Sequence, residues 1–195
     1  MKAACYRRPA KPLHTFRRVP EPADFAEVGA APRRPVLPPL AVPAELECHV
    51  TPPDVAERMA ARLPDMTGRD VLEPSAGTGN LLRALARVHP GARVQAVEVY
   101  RPLWQRLNDA GYVVAWSDFE EWAASTPQRF DAVVMNPPFR KVRAHVAAAR
   151  RLLRPGGILV ALVPVTFVDG GGIERLPPDT FAAARVHTKI VQIQG

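Results

Sequence analysis

Four consecutive residues, Asn136-Pro137-Pro138-Phe139, have types and spacing that could carry chemistry. They follow the apolar run 132–135, so they stand where a buried strand ends, the usual place for a site in an α/β protein. The paired prolines make a stiff loop, because neither can donate to a ladder and each has a fixed φ. The Asn136 amide oxygen and the Pro137 carbonyl could both accept from one NH2 group, while Phe139 offers a ring for stacking. The loop therefore predicts a binding site for a planar amine. An ordinary proline-rich turn after a core strand is compatible with the same four residues.

A glycine-bearing loop earlier in the chain is the second candidate. Residues 70–73 predict a short strand that ends on Glu73, residues 74–79 a tight loop, and residues 81–88 a helix. Leu82 stands where a dinucleotide fingerprint needs its third glycine, and a Gly-Lys-Ser/Thr phosphate loop is absent from the sequence. Gly77 and Gly79 still allow a ligand close to the backbone, and the Glu73 carboxylate would suit a cationic ligand better than a polyphosphate.

Two further acids follow predicted strands. Glu98 ends the strand 93–99, at the distance from the glycine loop where a carboxylate commonly holds a ribose diol. Asp118 and Phe119 follow the strand 112–116, where the carboxylate could accept from an adenine amino group while the ring packs on the base. Asp118 could equally be the N-cap of the helix 120–124, and the two roles are compatible.

The elements that must position these residues alternate between helix and strand. A helix from Thr51 to about residue 63 is predicted, with the Thr51 hydroxyl as N-cap; further helices are predicted over 102–110 and 142–153. Residues 155–157 predict a turn before a strand at 158–163 that is buried on both faces. The alternation implies an α/β fold whose sheet is mostly parallel, with helices on both faces. The last strands, 173–176 and 186–193, are too close in sequence for a crossover, so they predict an antiparallel pair at one edge.

Composition and charge indicate which classes of partner and which cellular location to expect. The net charge of +7 favours a polyanion, with nucleic acid ahead of an acidic membrane. No apolar run is long enough to span a bilayer and no targeting signal is recognisable, so a cytoplasmic protein is expected. Cys5 and Cys48 are far apart and the five histidines lack ligand spacing, so neither a disulfide nor a metal site is predicted.

Residues 1–44 differ from the rest of the chain. They hold nine of the 22 prolines and eight basic residues against three acidic ones, with no countable helical or strand period. We expect a flexible tail at 1–44 and a single domain at 45–195. The arginine pairs of the tail, at 7–8, 17–18 and 33–34, could follow phosphates or could simply be solvated.

The order of these motifs resembles the class I S-adenosylmethionine-dependent methyltransferases, specifically the amino-group enzymes of the adenine-N6 DNA type with the γ order. The matching residues are Thr-Pro-Pro at 51–53, Leu-Glu-Pro-Ser-Ala-Gly-Thr-Gly at 72–79, the acid at 98, Asp118-Phe119 and Asn136-Pro137-Pro138-Phe139. Thr180-Phe181 and the strand after it are similar to the end of that domain. The resemblance implies a Rossmann-like fold with a seven-stranded sheet and S-adenosylmethionine as cofactor.

The resemblance also implies a role for each motif. Thr51 and the loop at Gly77 and Gly79 would meet the methionine part of the cofactor, and Glu98 the ribose. Asn136 and the loop after it would hold the target amine, and Phe139 and Phe181 would stack on a base flipped out of DNA. The cofactor-binding residues expected are Thr51, Glu73, Pro74, Gly77, Gly79, Asn80, Glu98, Asp118 and Phe119; the catalytic ones are Asn136, Pro137, Pro138 and Phe139.

Three functions are compatible with the resemblance. Adenine-N6 methylation of DNA, as in restriction-modification, comes first; amino-group methylation of RNA or of a protein glutamine is the alternative. A nucleic-acid-binding or regulatory subunit that kept the fold without turnover is the third. DNA enzymes of this type carry a target-recognition domain after the last strand, and none is recognisable here. We therefore expect base specificity to come from the basic tail, from short loops, or from a partner such as a specificity subunit or a second copy, or else to be slight.

Overall fold

Seven strands form one sheet in the computed structural model, in the order β3-β2-β1-β4-β5-β7-β6. β1 pairs in parallel with β2 and β4, and the parallel pairing continues to β3 on one side and β5 on the other. β7 runs antiparallel to both β5 and β6. This arrangement confirms the α/β class, the mostly parallel sheet and the antiparallel edge. The strands are β1 Asp70–Glu73, β2 Arg93–Glu98, β3 Val113–Trp116, β4 Phe130–Met135, β5 Leu153–Pro164, β6 Gly172–Arg175 and β7 Thr188–Gln194.

The structure describes residues 43, 49–168, 172–178, 180 and 186–195. Phe181, Cys48 and all of the expected tail except residue 43 lie outside these ranges. Within them, no group of histidine, cysteine and acidic side chains could hold a metal ion. None of the described helices combines the length and apolar composition that crossing a bilayer requires.

Five helices of the described chain cover both faces of the sheet; the first precedes β1, and the other four connect the parallel strands. They are α1 Pro53–Ala60, α2 Asn80–Val88, α3 Arg101–Asp109, α4 Phe119–Ser125 and α5 Val142–Arg151, with a short 3₁₀ helix at Phe139–Lys141 before α5.

The central strands β4 and β5 are largely buried on both faces, as continuous apolar runs predict. In β4, Val133 and Met135 pack with α4 and α5, whereas Ala132 and Val134 face the opposite side with α1 and α2. β5 alternates in the same way from Ile158 to Val163. Because successive side chains point to opposite faces, the sheet is fixed in register by two separate cores.

Two local predictions were wrong. Helix α1 has Pro52, not Thr51, at its N-cap, and it ends at Ala60 rather than near residue 63. The expected turn at 155–157 lies inside β5, where the pairing with β4 shifts register between Phe130 and Ala132. The strand therefore begins at Leu153, before the prolines and glycines that were expected to precede it.

A cluster of charges joins the amino ends of β1 and β4. The Arg154 guanidinium donates to Asp70 Oδ2 at 2.7 Å and also binds the Asp131 carboxylate, and Arg93 Nε donates to Asp70 Oδ1 at 2.7 Å. The Arg93 and Arg154 hydrogen bonds outweigh burial and hold the pKa of Asp70 below its ordinary value. This ionic cluster lies at the edge of the sheet opposite the strand ends that carry the candidate site.

The glycine at 79 is required by both conformation and packing. Its φ is +82°, and a Cβ at this position would lie 2.6 Å from Leu107 Cδ2 on α3. Gly68 has a similar φ of +68°, but a Cβ there would meet nothing within 4 Å. The two positions thus separate backbone strain from steric conflict.

We expect Gly68→Ala to lower the free energy of unfolding by about 1–2 kcal/mol through strain alone, and Gly79→Ala to lower it by about 1–3 kcal/mol more. Denaturant titration at equilibrium measures both values. Equal losses in the two variants would contradict the conflict with Leu107.

Candidate active site

A cavity of about 260 Å³ opens at the carboxyl ends of β1, β2, β3 and β4. Adjacent parallel strands bring the loops that follow them to one edge, which is why residues distant in sequence meet there. Among the residues predicted for the site, those that line the cavity are Thr51, Pro74, Gly77, Asn80, Glu98, Asp118, Phe119, Asn136 and Pro138. Glu73, Gly79, Pro137 and Phe139 are close in sequence to lining residues but are not part of the lining.

The glycine loop is fastened to the end of β2. Gly77 N donates to Glu98 Oε2 at 2.7 Å, and Ala76 N donates to the Val97 carbonyl at 3.0 Å. Tyr100 N donates to the other Glu98 oxygen at 2.7 Å. Burial raises the pKa of Glu98, and the backbone N–H groups around it oppose that rise. The carboxylate is thus held rigidly in the cavity wall, with lone pairs left for further donors.

Glu73 has a different role from the one expected. Its side chain is fully buried, and Oε1 accepts from Ser75 N at 2.9 Å. Burial, together with the charge of Glu98, raises the pKa of Glu73 to about 8. The side chain therefore supports the glycine loop from beneath as a neutral acid and does not present a carboxylate to a ligand.

The segment 49–51 fastens two further parts of the site. Thr51 is buried, its carbonyl accepts from Asn80 Nδ2 at 2.6 Å, and its Oγ1 accepts from Asn136 Nδ2 at 2.9 Å. Asn80 is the first residue of α2, so the start of that helix and the loop after β4 share one anchor.

The orientation of the Asn136 amide follows from its partners. Asn136 Nδ2 also donates to the His49 carbonyl at 2.9 Å, and a carbonyl can only accept, so the nitrogen must face His49. Asn136 Oδ1 is buried and has no hydrogen-bond partner among the described residues. An unpaired buried acceptor costs about 1–3 kcal/mol, and Asn136 is one of the residues that line the cavity.

Phe139 stacks on a residue that sequence reasoning did not connect with it. The Phe139 and His49 rings are 4.8 Å apart with an interplanar angle of 26°. That separation leaves no room for a base between them, since two stacking distances would be needed. A base that stacks on this face of Phe139 has to displace His49.

Asp118 is the N-cap of α4, which confirms one of its two expected roles. Its Oδ1 accepts from Glu120 N at 2.8 Å, and Lys141 Nζ lies 3.4 Å from Oδ2 and 3.0 Å from Glu120 Oε1. Burial alone would raise the pKa of Asp118, but the N–H groups of Glu120 and Glu121 and the Lys141 ammonium hold it below its ordinary value. Lys141 thereby connects the end of the Asn136 loop to α4 beside the cavity.

His145 is a cavity residue that the sequence interpretation missed. It is buried, its Nδ1 lies 3.5 Å from Ser75 Oγ, and its Nε2 lies 3.8 Å from Glu120 Oε1. Burial lowers its pKa, so the ring is neutral near pH 7. The helical period could have revealed it, because His145 shares the buried face of α5 with Val142, Val146 and Ala149.

The residues present fit S-adenosylmethionine. The Glu98 carboxylate has lone pairs free for ribose hydroxyls, Asp118 and Phe119 supply an acceptor and an apolar ring for a base, and Leu81 and Leu103 add apolar lining. When bound, the cofactor supplies an activated methyl group on a sulfonium centre. The roles given to the single residues remain predictions.

The fold and this site define a class I methyltransferase. Residues 53–167 match the family model described as the methyltransferase small domain. The match spans more than half of the chain, and the protein belongs to this family. Membership confirms S-adenosylmethionine as the cofactor expected from the sequence.

Similar proteins differ in their substrates. The chain is 31% identical over 116 residues to a trans-aconitate 2-methyltransferase of Paracidovorax citrulli, across 56% of this chain and 44% of that protein. It is 28% identical over 90 residues to the type II methyltransferase M.CvrRI of Paramecium bursaria Chlorella virus XZ-6E, across 46% of this chain and 23% of that protein. The chain thus spans less than half the length of these relatives.

A solved structure extends the likeness of the fold. The methyltransferase subunit of a type I restriction-modification system from Streptococcus thermophilus superposes with a TM-score of 0.62 at 18% identity, over 75% of this chain and 44% of that one.

The neutral state of Glu73 predicts a pH dependence of stability. A folded pKa of about 8, above the ordinary glutamate pKa of 4.5, contributes stability that is complete below pH 4.5 and is lost as the pH rises toward 8. Glu73→Gln removes this dependence. We expect the stability of the variant relative to the wild type to rise by a few kcal/mol across that window, as measured by denaturant titration at several pH values. A constant difference over the window would contradict a neutral buried Glu73.

The hydrogen bonds of Glu98 predict that replacing its carboxylate with an amide weakens the binding of the cofactor. Glu98→Gln turns an NH2 group toward the N–H of Gly77 or Tyr100, so one buried donor loses its acceptor and the cavity wall shifts. We expect about 10- to 100-fold weaker binding of S-adenosylmethionine by titration calorimetry. The exposed Glu121→Gln, on α4, is the matched control and should bind as the wild type does. Equal affinities in the two variants would remove Glu98 from the binding site.

Proposed function

We propose that the protein transfers a methyl group from S-adenosylmethionine to the exocyclic N6 amine of adenine in DNA, with the target base flipped into the site. Residues 45–195 form the catalytic domain in this proposal. The observation that carries it is Asn136 Oδ1, a buried acceptor without a partner in the described part of the chain, on a residue that lines the cavity.

The hydrogen-bond polarity of Asn136 favours an amine as the target. Both N–H hydrogens of its amide are engaged, by His49 and Thr51, so only an acceptor remains for the substrate. An amine can donate to that oxygen, whereas a carboxylate offers only acceptors and would be repelled. The polarity of Asn136 therefore disfavours methylation of a carboxylic acid, the substrate class in the name of the trans-aconitate relative.

The chemistry required of the protein is mainly orientation. An exocyclic amine is a poor nucleophile because its lone pair is delocalised into the ring. Acceptors at Asn136 Oδ1 and, as the sequence predicts, the Pro137 carbonyl would draw its hydrogens toward a tetrahedral geometry and free the lone pair, although Pro137 itself does not line the cavity. Alignment of two reactants can supply about 7–11 kcal/mol of barrier lowering in the most favourable systems, so no covalent intermediate with the enzyme is needed.

The preference for DNA depends on sequence and charge. The Thr-Pro-Pro segment at 51–53 and the sequence of residues 72–79 resemble motifs of the DNA adenine enzymes. The net charge of +7 suits a polyanion. The likeness to a type II methyltransferase adds support. Phe139, after displacement of His49, and Phe181 would stack on the flipped base, and a specificity subunit or second copy would supply recognition of the site.

The test is methyl transfer from labelled cofactor, with duplex DNA, structured RNA and protein extract offered separately. We expect N6-methyladenine in the DNA, identified by mass spectrometry after digestion. Asn136→Ala should lower the rate by about 100- to 1,000-fold, because a positioned polar group at the reacting centre is lost. Asn108→Ala, at an exposed position on α3, is the matched control and should retain the wild-type rate.

Other outcomes of this experiment would change the proposed substrate or the proposed role of Asn136. Label in RNA or in protein glutamine would move the substrate to that class while leaving the role of Asn136 intact. Cofactor binding without transfer to any substrate would identify a binding or regulatory subunit. Equal rates in the Asn136 and Asn108 variants would remove Asn136 from the reaction.

A further inference from the structure

We infer that Thr51 is a positioning residue that acts through Asn136: its hydroxyl oxygen fixes the amide so that only the acceptor faces the substrate. The inference rests on the proposed function, because it concerns how the same site receives an amine. It differs from the expectation that Thr51 caps α1, which the structure overturned, and from direct contact with the cofactor.

Both N–H hydrogens of the Asn136 amide have acceptors. One is accepted by the His49 carbonyl and the other by Thr51 Oγ1, each at 2.9 Å. An amide held by one acceptor can still swing about that bond, but two acceptors fix its plane as well as its direction. The oxygen is then left as the single group available to a substrate.

The surroundings make Thr51 a rigid support. Thr51 is 6% exposed, so bulk water does not compete for the hydroxyl. Its own carbonyl is anchored by Asn80 Nδ2 at 2.6 Å, which fixes residue 51 to the first turn of α2. The support for Asn136 therefore comes from the wall of the cavity that holds the glycine loop, not from the flexible end of a surface side chain.

The hydroxyl group of Thr51 matters more than the shape of its side chain. Valine has the shape of threonine but has no acceptor, so Thr51→Val leaves one buried N–H of Asn136 unpaired and permits the amide to turn. A turned amide would present a donor to the donor hydrogens of the target amine. Serine retains the oxygen and should retain the function.

The rates of methyl transfer test this reasoning. We expect Thr51→Val to lower kcat by about 10- to 100-fold, the cost of one unpaired buried group, with the affinity for S-adenosylmethionine unchanged by calorimetry. Thr51→Ser should restore kcat to near the wild-type value. A matched control is Thr188→Val, in β7, since Thr188 is also buried and its hydroxyl has no partner among the residues described. A loss of cofactor affinity that parallels the loss of kcat would overturn the inference, because Thr51 would then act on the cofactor directly.

A second readout needs no substrate, and so separates this inference from the proposed function. The side-chain NH2 signals of Asn136 in nitrogen-15-labelled protein can be assigned by their absence in Asn136→Asp. In Thr51→Val we expect one of the two protons to move upfield and to exchange with water at least about tenfold faster. Unchanged signals would overturn the inference even if DNA is methylated, and changed signals would support it even if the substrate proves to be another amine. If Thr51→Val does not fold, Thr51→Ala gives the same comparison.

Discussion

The position of β1 at the centre of the sheet, parallel to β2 on one side and to β4 on the other, is the constraint on which the site depends. It brings the ends of three strands to one edge, so the glycine loop, Glu98 and Asn136 meet although they are far apart in sequence. Hydrogen bonds then join neighbours: Gly77 N with Glu98, and Thr51 with both Asn80 and Asn136. Binding of cofactor and binding of substrate are thus built on one connected frame and not on independent loops.

Burial at this edge decides the chemical character of each polar group. Glu73 and Glu98 lie close enough for the charge of one to oppose ionisation of the other, and the one with fewer N–H partners becomes neutral. Glu98 keeps its partners on both oxygens and faces the cavity. Asn136 is left with an acceptor and no spare donor. The site therefore offers acceptors to ligand hydroxyls and amines, which is the polarity that both the cofactor ribose and an exocyclic amine require.

The buried strands and most of the cavity lining could be predicted from the sequence, because they follow from apolar periodicity and from the residues at strand ends. Apolar runs such as 132–135 and 158–163 gave the buried strands, and acids or amides directly after them gave most of the cavity lining. What it could not predict depends on partners that only folding brings together. Thr51 looks like a helix cap until Asn136 is placed beside it, and Glu73 looks like an exposed carboxylate until its burial is known. The contact of His49 with Phe139 likewise joins residues whose proximity no local pattern encodes.

The ionic cluster of Asp70, Asp131, Arg93 and Arg154 sits at the amino ends of the strands, away from the cavity. Two acids on neighbouring parallel strands would repel each other there if the arginines did not lie between them. The ionic cluster and the candidate site accordingly lie at opposite rims of one sheet. Replacing these arginines would therefore leave the two acids facing each other, but it would break no side-chain hydrogen bond described here to a residue that lines the cavity.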